Sequence, residues 1–336
     1  MFNFIEKSDS TDPYENLAYE SALAEFIRCE IQKGKSCYGM FLWRSDSAIV
    51  FGRNQNIRNE CKINLAKKKG IKLVRRKTGG GAVYHDLGNL NFSFLASKDI
   101  YSKEKNFDII LKALSRLGLR AEISGRNDIL VNGKKISGNA YSIEKGVCIH
   151  HGTLLVNLDT TLAACLLTPP ETKFKSKGIV SVKSRIINLK DISPNVDIQT
   201  LGDKVIEAFD EAFDSETEDI EINKDYYQKC LNKLVSEEWI NINAIDCEVL
   251  VESDIGFFKF SVEEDNGIIK KIFYESDILE VELIEHIIGG LVEVTLDEES
   301  IFEKYQHLIS TSPFSIPDKV LDAFNKIVVA IINCIK

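Results

Sequence analysis

Arg75-Arg76-Lys77-Thr78-Gly79-Gly80-Gly81-Ala82-Val83-Tyr84-His85-Asp86 sets three consecutive glycines directly after three cations. Glycine lets a backbone approach a ligand closely. Successive backbone N–H groups aimed at one spot form a nest for anions, phosphate above all. Arginine adds a planar, always charged fork for phosphate or carboxylate oxygens. Three glycines alone would more often make a plain turn. The flanking cations and the Ala-Val-Tyr-His continuation shift the reading to an anion site. The stretch lacks the Gly-x-x-x-x-Gly-Lys-[Ser/Thr] of a P-loop and is no Gly-x-Gly-x-x-Gly dinucleotide turn.

The pattern on both sides of this loop predicts a mixed α+β fold. Upstream, Asp12-Pro13-Tyr14-Glu15 suits a helix start, with Asp12 as the cap and Pro13 in the first turn. Leu17, Leu23, Phe26, Ile27 and Ile31 then give that helix an apolar face. Met40–Trp43, Ala48–Phe51 and Leu73–Val74 read as short strands. Downstream, Asn91–Leu95 alternates polar and aromatic residues as a strand does. Phe107, Ile110, Leu111, Leu114 and Leu117 recur at helical spacing, stopped by Gly118. Asn132-Gly133 between two strand-like runs signals a hairpin, because both turn residues need positive φ. Residues 149–158 read as a buried strand and 197–213 as an amphipathic helix.

Residues 214–225 are acidic and poor in apolar side chains, and read as a connecting segment. Beyond them the pattern restarts, with strands around Phe258–Val262 and Ile269–Tyr274 and helices near 279–288, 298–308 and 317–335. The organisation expected is a catalytic domain over 1–245, including a connection at about 214–245, and a small α+β accessory domain over 246–336.

Composition narrows the class. The 336 residues carry a net charge of −9, which argues against general binding to nucleic acid or anionic membranes. Eight scattered cysteines form no Cys-x-x-Cys or Cys/His zinc spacing and read as free thiols in a reducing compartment. No segment reads as a signal peptide or a bilayer span. A cytoplasmic protein is expected, with a matrix protein stripped of its transit peptide as the alternative.

Three further stretches carry chemistry. Gly125-Arg126-Asn127-Asp128 leads into the hairpin that presents Lys135. A lone hairpin lysine is usually just solvated, and Lys134 should face the opposite way. His150-His151-Gly152-Thr153 hints at a metal, but adjacent strand residues point to opposite faces. One histidine should therefore face the site while the other packs or meets solvent. Lys175-Ser176-Lys177-Gly178 through Lys183-Ser184-Arg185 suits a loop that closes over an anion.

Together these stretches resemble the lipoate–protein ligase family. The pattern of Arg-Arg-x-Thr-Gly-Gly-Gly-Ala-Val-Tyr-His-Asp-x-Gly-Asn, Gly-Arg-Asn-Asp, Lys-Ile-Ser-Gly-Asn-Ala, His-His-Gly-Thr-Leu-Leu and Ser-Lys-Gly-Ile-x-Ser-Val-x-Ser-Arg runs co-linearly from Pro13 to about Leu189. The resemblance implies a mixed β-sheet flanked by helices, shared with biotin ligases. It implies activation of lipoate, or octanoate, by ATP to an acyl-AMP, followed by transfer to an acceptor lysine. Expected acceptors are lipoyl domains of 2-oxo acid dehydrogenase acyltransferase subunits and the glycine cleavage H protein. By position, Arg76 and Gly81, Ala82, Val83 and Tyr84 would hold the adenylate. Asn127 and Asp128 would lie near the phosphates, Asp128 through a magnesium ion. Lys135 would bridge carboxylate and phosphate as the catalytic residue. Arg76, Thr78, Gly79, Gly80, His85, Lys135 and His151 would bind lipoate. One departure stands out: Trp239 is kept, but the Tyr-Gly-Lys-Ser-Pro-like run expected after it is lost.

The nearest alternative is an octanoyl or lipoyl transferase that uses an acyl-carrier donor without ATP, through a thioester at Cys148. A biotin ligase is disfavoured by the reading of its glycine loop. A silent lipoate or nucleotide carrier is disfavoured by the intact Arg76 and Lys135.

Overall fold

The computed structural model describes residues 2–125, 127–168, 185–213, 219–242 and 247–334. Its strands in chain order are β1 (Phe2–Lys7), β2 (Cys37–Trp43), β3 (Ala48–Phe51), β4 (Lys72–Arg75), β5 (Val83–His85), β6 (Asn89–Ser97), β7 (Ala121–Ser124), β8 (Asp128–Val131), β9 (Lys134–Glu144), β10 (Val147–Leu155), β11 (Val249–Ser253), β12 (Gly256–Asp265) and β13 (Ile268–Ser276). The main sheet has seven strands in the order β1-β2-β6-β10-β9-β8-β7. β1 runs parallel to β2, whereas β6, β9 and β10 pair antiparallel.

Side-chain alternation gives this sheet two unlike faces. On one face Tyr38, Met40, Leu42, Phe92 and Phe94 pack under the helices Lys103–Arg116 and Ile198–Phe213, which contribute Phe107, Ile110, Val205 and Phe209. The other face meets the helix Pro13–Gln32 through Phe41, Trp43 and Leu95. That helix starts where expected, with the Asp12 carboxylate accepting from the N–H groups of Tyr14 and Glu15. Asn132 and Gly133 both have positive φ, so the β8–β9 hairpin is the turn the sequence predicts.

A second sheet, β4-β3-β5, lies beside the first and carries the glycine-rich stretch as its β4–β5 connection. Arg75 and Arg76 end and follow β4, and they face opposite ways. The sequence suggests that both flank an anion site, but the structure turns Arg75 inward. Its guanidinium stacks on Phe51 and donates to the carbonyls of Gly52, Arg53, Gln55, Trp239 and Ile240. Trp239 returns a bond from its indole N–H to the Arg75 carbonyl at 2.9 Å. Burial and the charge of Arg53 lower the Arg75 guanidinium to about 9, which still leaves it charged at neutral pH.

The C-terminal part forms the antiparallel sheet β11-β12-β13 with helices Val281–Gly290, Glu298–Ser310 and Asp318–Asn333. Its core of Phe258, Phe260, Ile284, Ile287, Phe324 and Ile331 is separate from those of the sheets above. It docks beside the glycine loop. Ser276 N–H donates to Asn54 O, Asn59 donates to Glu275, and Arg53 pairs with Glu285 at 2.6 Å. A Cβ on Gly79 would lie 2.4 Å from the carbonyl oxygen of Ile278, so the close approach there requires glycine.

Arg75→Ala strips charged donors from five buried carbonyls. We expect a loss of more than about 3 kcal/mol in stability, measured by urea unfolding. An unchanged midpoint would show that these carbonyls find other partners.

Candidate active site

The glycine loop, the β8–β9 hairpin and the sheet face that carries Trp43, Asn91 and His151 surround a cavity of about 840 Å³. Its lining includes Arg76, Gly80, Gly81, Ala82, Val83, Tyr84 and His85 from the loop, and Asn127, Asp128 and Lys135 from the hairpin. His151 and Thr153 come from β10, and Phe257, Asp277 and Leu279 from the C-terminal part. The sequence-predicted residues are thus brought together, except that Thr78 and Gly79 stand behind the wall.

Arg76 is buried and its donors are engaged. Nη2 donates to the carbonyls of Gly79 and Gly81 at 2.6 and 2.9 Å, Nη1 to Val50 O, and Nε to Thr78 Oγ1 at 3.0 Å. The side chain therefore fixes the shape of the loop from inside and places a positive charge beneath it. Burial lowers its guanidinium to about 10, against the opposing pull of Glu60 and Glu20.

Beyond Arg76 a buried chain runs on. Thr78 Oγ1 meets His151 Nε2 at 2.8 Å, and His151 Nδ1 meets Glu20 Oε2 at 2.9 Å. Glu20 also accepts from Ser93. Burial alone would raise the Glu20 carboxyl, but His151, Ser93 and Lys77 outweigh it and hold it below its usual range. The other histidine packs and does not meet solvent: His150 lies among Phe92, Phe94, Phe107 and Tyr141, bonded to Asn139 Oδ1 at 2.9 Å. The two rings do not converge. Among the described residues no group of three or more His, Cys, Asp and Glu is placed to hold a metal.

At the hairpin end Lys135 Nζ lies 2.7 Å from Asp128 Oδ1, and Arg185 pairs with Oδ2 of the same carboxylate. Two cations share one anion, so the cluster carries excess positive charge beside the glycine loop. The segment after the proposed closing loop runs back along β9, where Ile187 N–H donates to Lys135 O at 3.0 Å. That return path delivers Arg185. The rest of the Lys175–Ser184 stretch lies outside the described residues, as does Arg126. Lys134 is exposed, on the far side from Lys135. Asn127 lines the cavity while its Nδ2 donates one bond to Asn139 O at 2.5 Å. Asp128, with both oxygens facing cations, does not fit the role of a magnesium ligand in this arrangement.

Cys148 is buried on β10 and does not line the cavity. It shares a face with His150, one step out of phase with His151, and burial pushes its thiol up to about 12. A thiol so placed is a poor nucleophile. Several site residues were not singled out from the sequence: Glu20, Trp43, Glu60, Asn91 and Leu279. Glu20 did leave a signal, as a polar residue three positions after Leu17 on an otherwise apolar helix face, whereas Asn91 falls on the polar side of the β6 alternation and left none.

Residues 12–210 match the family described as Lipoyl protein ligase A/B catalytic domain. Lipoate-protein ligase A of Psychrobacter cryohalolentis is 35% identical over 322 residues, covering 92% of this chain and 93% of that protein. Among solved structures, P. falciparum LipL1 in complex with lipoate superposes with a TM-score of 0.82 at 27% identity, covering 98% of this chain and 99% of that one. A chain from the structural analysis of the Thermoplasma acidophilum lipoylation system, a bi-partite lipoate protein ligase and its E2 lipoyl domain, gives 0.63 at 29% identity, covering 74% and 99%. A lipoate-protein ligase A bound with ATP gives 0.62 at 27% identity, covering 73% and 100%. The chain belongs to the lipoate–protein ligase family and is a ligase.

Two outcomes follow from this geometry. Cys148→Ser should keep most of the ligase activity. An acyl thioester trapped at Cys148 would overturn that reading. His85 and His150 both stay unprotonated well below 6.5 in the fold, His85 to about 3, chiefly through burial. The unfolded chain therefore binds more protons than the folded one as pH falls below 6.5, so stability falls with pH. Urea midpoints at pH 7 and pH 5 should show it, with a slope of up to about 1.4 kcal/mol per pH unit for each histidine. Substituting Phe for either histidine should flatten the slope.

Proposed function

We propose that this cavity is where lipoate is activated by ATP and from which the lipoyl group passes to a lysine of a lipoyl domain. One observation carries the reading: a glycine nest shaped by Arg76, a Lys135–Asp128–Arg185 cluster and an apolar slot share a single enclosed space. Activation brings an anionic carboxylate against a polyanion, and fixed donors must offset that repulsion. The backbone of Gly81–Tyr84, supported by Arg76, would receive the adenylate. Lys135 would sit between the lipoate carboxylate and the α-phosphate. Its stem is held by the bonded strand and its ammonium by Asp128, so little reorganisation is needed as charge develops. The lipoate oxygen bonds to phosphorus as the bond to pyrophosphate breaks. In the second step the acceptor amine attacks the acyl carbonyl and AMP leaves. The chemistry proposed for the protein rests on Lys135 and Arg185 rather than on a metal held by Asp128. Magnesium belongs to the nucleotide in this reading.

Leu17, Trp43, Val50, Leu155 and Leu158 supply the apolar slot, with His85 and His151 in its wall. Residues 246–336 are read as the accessory domain and 1–245 as the catalytic one. Support comes from the separate C-terminal core and from Leu279, which reaches the cavity beside Gly80. The boundary itself falls on 243–246, outside the described residues. Acceptors of the 2-oxo acid dehydrogenase and glycine cleavage H types are proposed from the family. A cytoplasmic setting is proposed from the free thiols. Among the described residues no helix is long and apolar enough to cross a membrane.

The test is to incubate the protein with ATP, magnesium, lipoate and a lipoyl domain, and to weigh the domain by mass spectrometry. The lipoyl mass should appear, and pyrophosphate with it, only when ATP is present. Transfer from an acyl-carrier thioester without ATP would favour the transferase instead. Lys135→Ala should lower the rate of pyrophosphate release by at least about a hundredfold, a loss of the size seen for removal of a transition-state donor. Lys134→Ala should leave it near normal. Equal losses would remove Lys135 from its assigned role.

A further inference from the structure

At the Trp43 end of the cavity the wall contains polar groups that the protein leaves unsatisfied. Asn91 lies on β6 between Trp43 of β2 and Thr153 of β10 in the strand register. His85 ends β5 and meets the Trp43 ring edge-on, with centroids 5.9 Å apart. All four line the cavity. Asn91 is 1% exposed and His85 3%. Asn91 Oδ1 accepts from Asn89 at 2.7 Å, but Asn91 Nδ2 has no partner among the described residues, nor has either ring nitrogen of His85. The same cavity wall carries Leu17, Val50 and the Trp43 ring, which offer no side-chain acceptor.

An unpaired buried donor is destabilising, and native structures rarely keep one without a use. Here two such residues line the same cavity, and both neighbour Trp43, Asn91 in the strand register and His85 through its ring contact. In the ligase reading, on which this inference rests, the carboxylate end of the substrate lies at Lys135, so the acyl tail extends into the apolar slot. A saturated tail offers no acceptor there. A dithiolane ring offers two sulfurs, and sulfur accepts hydrogen bonds weakly. We propose that Asn91 Nδ2 and an N–H of His85 bond to the ring sulfurs of lipoate, so that the pocket selects a dithiolane-bearing tail over a hydrocarbon tail of similar size.

The electrostatics suit this role. Burial and the charge of Arg76 keep His85 neutral at working pH, with one ring N–H to give and no charge to bury against an apolar tail. Glu20 and His151, also near the slot, are already bonded to each other and to Ser93 and Thr78, so they compete little for the ring.

Three acids separate shape from sulfur: lipoate, cyclopentylpentanoate with the same ring outline but no sulfur, and octanoate. Pyrophosphate release by the intact protein gives kcat/KM for each. Lipoate should exceed cyclopentylpentanoate by about tenfold or more, the ratio that satisfying one buried donor supports. Equal values for these two acids would overturn the proposal, whether because water satisfies the donors or because ring shape alone is read. Adenylation of none of the acids would remove the ligase reading, and this inference with it. Asn91→Leu and His85→Phe should each bring the ratio of lipoate to cyclopentylpentanoate toward one, whatever their absolute rates. A ratio that survives both substitutions would also overturn it. Because the comparison of acids uses the unaltered protein, a variant that fails to fold does not spoil the test.

Discussion

A buried guanidinium must find acceptors for its N–H groups, and in this protein that requirement ties the frame together. Arg75 finds its acceptors only where the turn after β3 and the short helix Glu237–Ile240 converge on the end of β4. Satisfying one side chain therefore fixes three chain segments, including one more than 160 residues away in sequence. Arg76, one residue on, faces the other way and does for the glycine loop what Arg75 does for the frame. The loop lies between a rigid strand and a rigid guanidinium. Its conformation is set before any ligand arrives, which suits a site that must organise anions without reorganising itself.

The same logic of satisfied charge runs through the cavity. Glu20 is kept ionised by His151 and Ser93, His151 is oriented by Glu20 and Thr78, and Thr78 accepts from Arg76. The apolar slot and the glycine loop therefore share one hydrogen-bonded chain. At the other end Asp128 is the smaller partner in a cluster with two cations. Its carboxylate holds Lys135 in place while leaving the cluster net positive, a positioning task distinct from the metal-binding one that the resemblance implied.

Much of the site was legible in the sequence because its parts are local. Three glycines after cations, an Asn-Gly hairpin with a lysine beyond it and a His-His pair on a strand each state their geometry over a few residues. Strand alternation alone separated Lys134 from Lys135 and His150 from His151. Two cores were likewise readable, since the apolar periodicity breaks across the acidic segment and then resumes.

What the sequence could not decide were the pairings between distant segments. Nothing local distinguishes Arg75, which serves the interior, from Arg76, which serves the loop, or shows that Arg185 returns to Asp128. Glu20 reads as a polar residue on an apolar helix face, but the bonding that gives it meaning comes from Ser93 and His151 on strands far away in the chain. The placement of Leu279 beside Gly80 depends on docking between separately packed cores. Local propensity and alternation fix which way a side chain points; only the packed whole decides what it meets, because burial and hydrogen-bond satisfaction are settled between segments rather than within them.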